Sequence, residues 1–211
     1  MTIEIDSLST GQWYRELLKL FVMTETDSNG FVFNVRSKIE IKNPYLDLED
    51  IWRLSIYKAF NAEEISFSFK LLHNLLPTQE NLSKVLARMG TSNICTLCSG
   101  QLRGDQLHSF LVCSFNNGVG KWLVGCLNAL NPAIGQKQIL NFEFFAMEEK
   151  YCFPAAWLSL KTLMVIWNHR CLRKSPTHAE VRSSLEAGIM ILRKARYEDE
   201  AKVIENLITK I

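Results

Sequence analysis

The sequence predicts a mainly α-helical fold, in which an irregular array of helices surrounds one zinc-binding loop of the CCHC type. Apolar residues recur at helical spacing along most of the 211 residues. Capping boxes precede two of these stretches. Three cysteines and one histidine stand between positions 95 and 113 in the order C-x2-C-x9-H-x4-C. A chain of this length with 47% hydrophobic residues can bury a sizeable core.

Residues 1–62 are expected to form an N-terminal helical segment that packs on the core. A capping box beginning at Ser9 starts a helix over residues 10–23. Residues 24–46 are rich in turn residues and alternate weakly, so they allow one short β-hairpin. Asp47 can cap a second helix, whose first turn carries further acidic side chains at its positive end.

Residues 63–131 form the predicted zinc-binding region. A buried helix over residues 63–76 is ended by Pro77, and a second helix over residues 79–89 is stopped by a glycine. Together these two helices lead the chain into the loop. After the loop, residues 121–130 predict an amphipathic helix that can pack over the metal.

Residues 132–211 are predicted to form C-terminal helices, and the three segments together one compact unit. Pro154 suits the first position of a long helix. A capping box from Thr177 begins the next helix, and a last helix runs from about residue 198 to the end. Three basic side chains would share one face at the end of the long helix: Arg170, Arg173 and Lys174.

The loop between positions 95 and 113 has the residue types and the spacing of a zinc site. Thiolates and imidazole are preferred ligands of Zn²⁺, which binds four such groups tetrahedrally. Four protein ligands leave no position for an activated water, so the pattern predicts one structural Zn²⁺ rather than a catalytic one. Gly100 and Gly104 are expected to use φ > 0 where the loop folds back. The predicted ligands are Cys95, Cys98, His108 and Cys113.

Other interpretations of these cysteines are open. Paired cysteines can form a disulfide, a redox-active C-x-x-C or buried apolar filler. No βαβ pattern surrounds the pair, which disfavours the redox interpretation. The three remaining cysteines lie in apolar or helical stretches and predict buried or free thiols: Cys126, Cys152 and Cys171.

Composition restricts the classes of function. The net charge is only +2, so it gives no direct sign of a nucleic-acid partner. The sequence shows no secretory signal pattern and no run of 18 apolar residues, so neither secretion nor a membrane partner is expected. Six cysteines with a metal-like cluster fit a reducing compartment, the nucleus or the cytoplasm. No catalytic constellation for a small-molecule substrate emerges, so the chain is not expected to be an enzyme.

Several runs resemble the zinc-binding region at the C-terminus of reverse transcriptase polyproteins of LINE-type, non-LTR retrotransposons. The runs are FKLLHNLLPTQENL, ICTLC and DQLHSFLVCSF, followed by Trp122. The resemblance implies that the four ligands above bind zinc. It also implies a partner polymerase domain and a role in binding the element's RNA or DNA target during target-primed reverse transcription. Asp105, three residues before His108, would be an outer-shell residue. Polymerase chemistry is not implied, because the sequence has no Asp-Asp pair to hold two metals.

Basic side chains near the loop and at the end of the long helix are the expected contacts to nucleic-acid phosphates. The opposing interpretation is a solvated helix end, where cations are favoured by the helix dipole. A structural or protein-interaction module, or a decayed fragment of an element, is the alternative function. The candidate phosphate contacts are Lys70, Lys84, Arg88, Arg103, Arg170, Arg173 and Lys174.

Overall fold

The computed structural model describes residues 59–72, 74–86, 90–98, 100–141, 144 and 149–209. This part of the chain is mainly helical, which confirms the predicted fold class. The two predicted N-terminal helices and the hairpin of residues 24–46 lie outside the described residues, and so does Arg88.

Seven α-helices and two short helical turns make up the described chain. The turns lie between α2 and α3, and consist of a π-helical turn, His108–Val112, and a 3-10 turn, Ser114–Asn116. The helices are α1 (Ala62–Leu72), α2 (Gln79–Val85), α3 (Val119–Asn128), α4 (Gln136–Asn141), α5 (Glu149–Cys171), α6 (His178–Lys194) and α7 (Glu198–Thr209).

Helix α5 is the centre of the fold, because α1, α3, α4, α6, α7 and the π-helical turn all pack on it. Its residues 153–160 are all buried, as expected for a helix covered on several sides. One apolar core extends from Phe60 to Ile208. Pro154 lies inside this helix rather than at its first position. The sequence prediction failed there because the helix begins five residues earlier, at Glu149.

Helix α1 ends at Leu72, so the predicted end at Pro77 is wrong. Asn74 adopts φ 55°, and the N–H of Leu75 donates to the carbonyl of Lys70 at 2.7 Å. The N–H of Asn74 donates to Leu71 at 3.1 Å, which completes a Schellman motif with asparagine in the usual glycine position. The chain therefore turns before the proline is reached.

The remaining helix ends are partly as predicted. Thr78 caps α2, but the described part of α2 ends at Val85. Thr177 and Glu180 form the predicted capping box of α6. Four apolar residues at helical spacing on α6 are buried, namely Val181, Leu185, Ile189 and Leu192.

The C-terminal end of α5 differs from the prediction. The helix stops at Cys171, and Arg173 adopts φ 52° in the turn that follows. Arg170, Arg173 and Lys174 therefore do not share a helical face. Within the described residues, no helix combines the length and the hydropathy that crossing a membrane requires.

Candidate metal centre

A short antiparallel bridge closes the loop that holds the C-x-x-C pair. Cys95 N donates to Leu102 O and Gly104 N donates to Asn93 O, both at 2.8 Å. Among the described residues of the loop, Gln101 takes the left-handed conformation, with φ 45°, so the expected positive φ at Gly100 and Gly104 is wrong.

Gly104 is needed for close packing rather than for its backbone angle. A Cβ atom at this position would lie 2.5 Å from Cβ of Gln79, the first residue of α2. The N–H of Glu80 also donates to the Gly104 carbonyl at 3.0 Å. The N-terminus of α2 thus rests directly against the end of the loop.

The π-helical turn brings the second pair of predicted ligands together. Two residues five positions apart on an α-helix point about 140° apart, since the helix has 3.6 residues per turn. Here the N–H of Cys113 donates to the carbonyl of His108 at 2.8 Å, which is the five-residue bond of a π-helix. The H-x4-C spacing therefore matches this wider turn.

Asp105 caps the turn with its side-chain carboxylate, which accepts from a backbone N–H. Its Oδ1 accepts from the N–H of His108 at 2.8 Å. The Nδ1 atom of the His108 ring is buried and has no hydrogen-bond partner among the described residues. Asp105 therefore supports the position of His108 without contacting its ring as an acceptor.

Four side chains converge on one point. The ligand atoms of Cys95, Cys98, His108 and Cys113 all lie within 4.8 Å of one another. Cys95 Sγ lies 3.8 Å from Cys113 Sγ, and Cys98 Sγ lies 3.3 Å from His108 Nε2. Tetrahedral Zn²⁺ would place two sulfurs about 3.8 Å apart and a sulfur and a nitrogen about 3.6 Å apart. The cluster thus fits a zinc ion, and its cysteines are free thiols rather than disulfides.

The cluster is largely removed from water. The exposed fractions are 4% for Cys95, 6% for His108 and 3% for Cys113, and Cys98 is half-buried. Gly120 in α3 packs on the π-helical turn, because a Cβ there would lie 2.5 Å from the Leu111 Cα. A metal bound at this point would be enclosed by protein.

The pKa values of the two buried thiols, Cys95 and Cys113, shift in opposite directions. Burial disfavours the thiolate of Cys95, but hydrogen bonds outweigh burial and lower its pKa to about 6. At Cys113 burial dominates and raises the pKa to about 11, with a further rise from the neighbouring Cys95. A cation bound between the sulfurs would favour the thiolate at both. The causes that lower the pKa of Cys95 are, in order of size, hydrogen bonding with the backbone of Leu97, with the side chains of Arg170 and His108, and with the backbone of Cys98.

Arg170 lies at this cluster. Its Nη2 is 3.7 Å from Cys95 Sγ, and its Nη1 donates to Asn116 Oδ1 at 3.3 Å. Its guanidinium is directed to the cluster, and its contact to phosphate stays a prediction. Sequence reasoning missed this role and missed Asn116. No local motif links Arg170 to a cysteine 75 residues earlier.

The structure also describes five other predicted phosphate contacts, namely Lys70, Lys84, Arg103, Arg173 and Lys174. Lys84 and Arg103 both pair with Glu80, Lys84 at 2.6 Å. Burial would raise the pKa of Glu80, but these two cations outweigh it and hold that pKa below its ordinary value. Two candidates, Arg173 and Lys174, are exposed in the turn after α5. Lys70 is half-buried in the last turn of α1.

The remaining cysteines lie outside the cluster. Cys126 is buried in the core, where burial raises its pKa to about 12, whereas Cys152 is half-buried and Cys171 is exposed.

The four clustered side chains would complete a closed tetrahedral shell, which stabilises a fold and leaves no open position for a substrate. Comparison of the chain with protein-family models, curated proteins and solved structures finds no match.

Proposed function

We propose that this chain is a non-catalytic zinc-binding domain, in which one Zn²⁺ holds the loop from Cys95 to Cys113 against the helices. The observation that carries the proposal is the convergence of three sulfurs and one imidazole at distances suited to tetrahedral zinc. Metal binding would supply folding free energy, because the unfolded chain does not hold the four ligands together.

We further propose that the domain assists binding of RNA or DNA, as the C-terminal region of a LINE-type reverse transcriptase would. The motif resemblance supports this role, and so does one feature of the structure. The exposed Arg173 and Lys174 lie three and four residues after Arg170, and the next residue, Ser175, donates a hydrogen bond to the Phe115 carbonyl. The turn that carries Arg173 and Lys174 thus lies next to Phe115, two residues after the last predicted ligand, Cys113. Such a domain would act in the nucleus or cytoplasm, next to its polymerase domain.

The zinc site is tested by metal analysis of the purified full chain. One zinc per chain is expected, with loss of helical ellipticity when a chelator removes it. Cys95→Ser and His108→Ala should each abolish stoichiometric binding. Cys171→Ser is the matched control, because this exposed cysteine lies outside the cluster. A metal-free protein that is fully folded would refute the proposal.

Nucleic-acid binding is tested by fluorescence anisotropy with single-stranded RNA and with duplex DNA. Phosphate contact predicts that affinity falls steeply with salt and varies little with sequence. The double variant Arg173→Gln/Lys174→Gln should bind more weakly and with a shallower salt dependence. Arg182→Gln/Lys202→Gln removes the same charge from exposed positions on α6 and α7 and is the control. Equal effects of the two double variants would contradict the proposed surface.

The alternative function is a structural or protein-interaction module without nucleic-acid binding. It is favoured by one observation, namely that Lys84 and Arg103 already pair with Glu80. Protein that binds neither RNA nor DNA at low salt, yet associates with a separately produced polymerase fragment, would select this alternative.

A further inference from the structure

Arg170 connects the start of the loop from Cys95 to Cys113 with the residues that follow this loop. From the last turn of α5 its guanidinium contacts Cys95 Sγ at 3.7 Å. The same group donates to Asn116 Oδ1 at 3.3 Å and lies 6.0 Å from the ring centroid of Phe115. One side chain therefore contacts the first predicted ligand, Cys95, and also Asn116, three residues after the last predicted ligand, Cys113.

Asn116 extends this contact into the turn that positions the ligands. Its Nδ2 donates to the carbonyls of Ser109 at 2.8 Å and Phe110 at 2.9 Å. Both carbonyls belong to the π-helical turn between His108 and Cys113. Asn116 is only 1% exposed, so its amide orientation is fixed by these bonds and by Arg170.

A zinc-loaded site would carry a negative charge, which a cation at the position of Arg170 would neutralise. Three thiolates and a neutral imidazole around Zn²⁺ leave one surplus negative charge. Buried charge is unfavourable unless it is paired. Arginine keeps its charge at all accessible pH values, and its planar fork can serve two acceptors at once. Arg170 has this geometry, with one nitrogen at a sulfur and the other at Asn116.

We propose that Arg170 is a positioning residue of the metal centre, which neutralises the surplus charge of the zinc–thiolate cluster and holds in place Cys95 directly and the π-helical turn through Asn116. This inference rests on the proposed zinc site. It also assigns the α5 terminus a role toward the metal that is separate from the role of Arg173 and Lys174 toward phosphate.

Zinc affinity of the full chain tests the inference, measured by competition with a chromogenic chelator at neutral pH. Arg170→Gln is expected to bind zinc about 10- to 100-fold more weakly. Arg170→Lys keeps the charge but not the fork, so a smaller loss is expected. Lys174→Gln removes one exposed charge four residues further on, and should stay within about twofold because exposed charges are screened.

Cobalt(II) spectra separate a metal-specific role from a general structural one. At full loading, Arg170→Gln should shift the thiolate-to-cobalt charge-transfer band, whereas Lys174→Gln should not. A merely structural role would lower the stability of the metal-free and loaded protein alike and leave the band in place.

The outcomes distinguish the inference from the proposed function. Wild-type affinity in Arg170→Gln, or an equal loss in Lys174→Gln, overturns the inference and leaves the zinc site intact. Absence of zinc uptake by the wild-type chain overturns both. If Arg170→Gln does not fold, Arg170→Lys decides, since wild-type affinity with an unshifted cobalt band in that variant would overturn the inference.

Discussion

The ammonium of Lys161 in α5 pairs with the carboxylate of Glu64 in α1, and both groups are nearly withdrawn from water. The exposed fractions of the two side chains are 17% and 5%. The other oxygen of Glu64 accepts from the N–H of Asn61 at 2.9 Å, and Asn61 Oδ1 accepts from the N–H of Glu64 at 2.9 Å. Asn61 and Glu64 therefore form a capping box at the start of α1, and Glu64 also ties this helix to the central helix.

Lys161→Met is expected to destabilise the chain by about 3 kcal/mol, because it leaves the buried Glu64 carboxylate without its cation. Urea unfolding followed by helical ellipticity measures the change. The exposed pair of Arg182 and Glu186 supplies the control, and Arg182→Met should lose less than about 1 kcal/mol. Similar losses in the two variants would show that the buried pair contributes no more to the free energy of unfolding than the exposed pair.

The contact of α3 with the π-helical turn gives a second prediction. A Cβ at Gly120 would meet the Leu111 Cα and the Phe110 carbonyl at 2.5 Å, and backbone atoms cannot move aside cheaply. Gly120→Ala should therefore displace the turn, destabilise the chain by about 1 to 3 kcal/mol and weaken zinc binding. Gly100→Ala is the matched change, because the nearest atom there lies at an ordinary 3.6 Å. Calorimetry and chelator competition on both variants measure the two effects.

The lowered pKa of Glu80 predicts that the stability of the chain depends on pH. Lys84 and Arg103 lower the pKa of this carboxyl below 4.5 despite the opposing effect of burial. The unfolded chain therefore takes up a proton more readily, and the stabilisation by the two ion pairs is lost as pH falls through the lowered value.

Glu80→Gln should thus lose about 1 kcal/mol at pH 7, and its deficit relative to wild type should shrink below pH 4.5. Unfolding titrations at matched zinc loading measure the difference. A deficit that stays constant down to pH 3 would show that the carboxylate charge is not involved.

Local chemistry was readable from the sequence wherever a short stretch of chain decides the structure. The ligand spacing between Cys95 and Cys113 anticipated the observed cluster, and the capping box at Thr177 anticipated the start of α6. Both depend on residues close in sequence. The end of α1 was missed because asparagine at position 74 takes a left-handed conformation that glycine more often supplies.

Long-range placement could not be read in the same way. Arg170 looked like a solvated or phosphate-binding cation, because nothing around it in sequence indicates that α5 ends at the metal loop. The ion pair of Arg103 with Glu80, 23 residues earlier, could not be predicted from the sequence for the same reason. Which cations meet anions inside the fold depends on how helices pack, and helical periodicity does not specify that.

The role of Asp105 can be separated into a cap and a charge. Its Oδ1 accepts from the backbone N–H of His108 at 2.8 Å, whereas the buried Nδ1 of that ring has no hydrogen-bond partner among the described residues. Asp105→Ala should therefore destabilise the chain by about 1 kcal/mol and weaken zinc binding, because the turn that holds the ligand loses its cap. Asp105→Asn keeps an acceptor oxygen and should stay near wild type in both measurements, which are urea unfolding and chelator competition. If Asn is as harmful as Ala, the carboxylate charge acts on the metal centre directly and the backbone cap is not the main contribution.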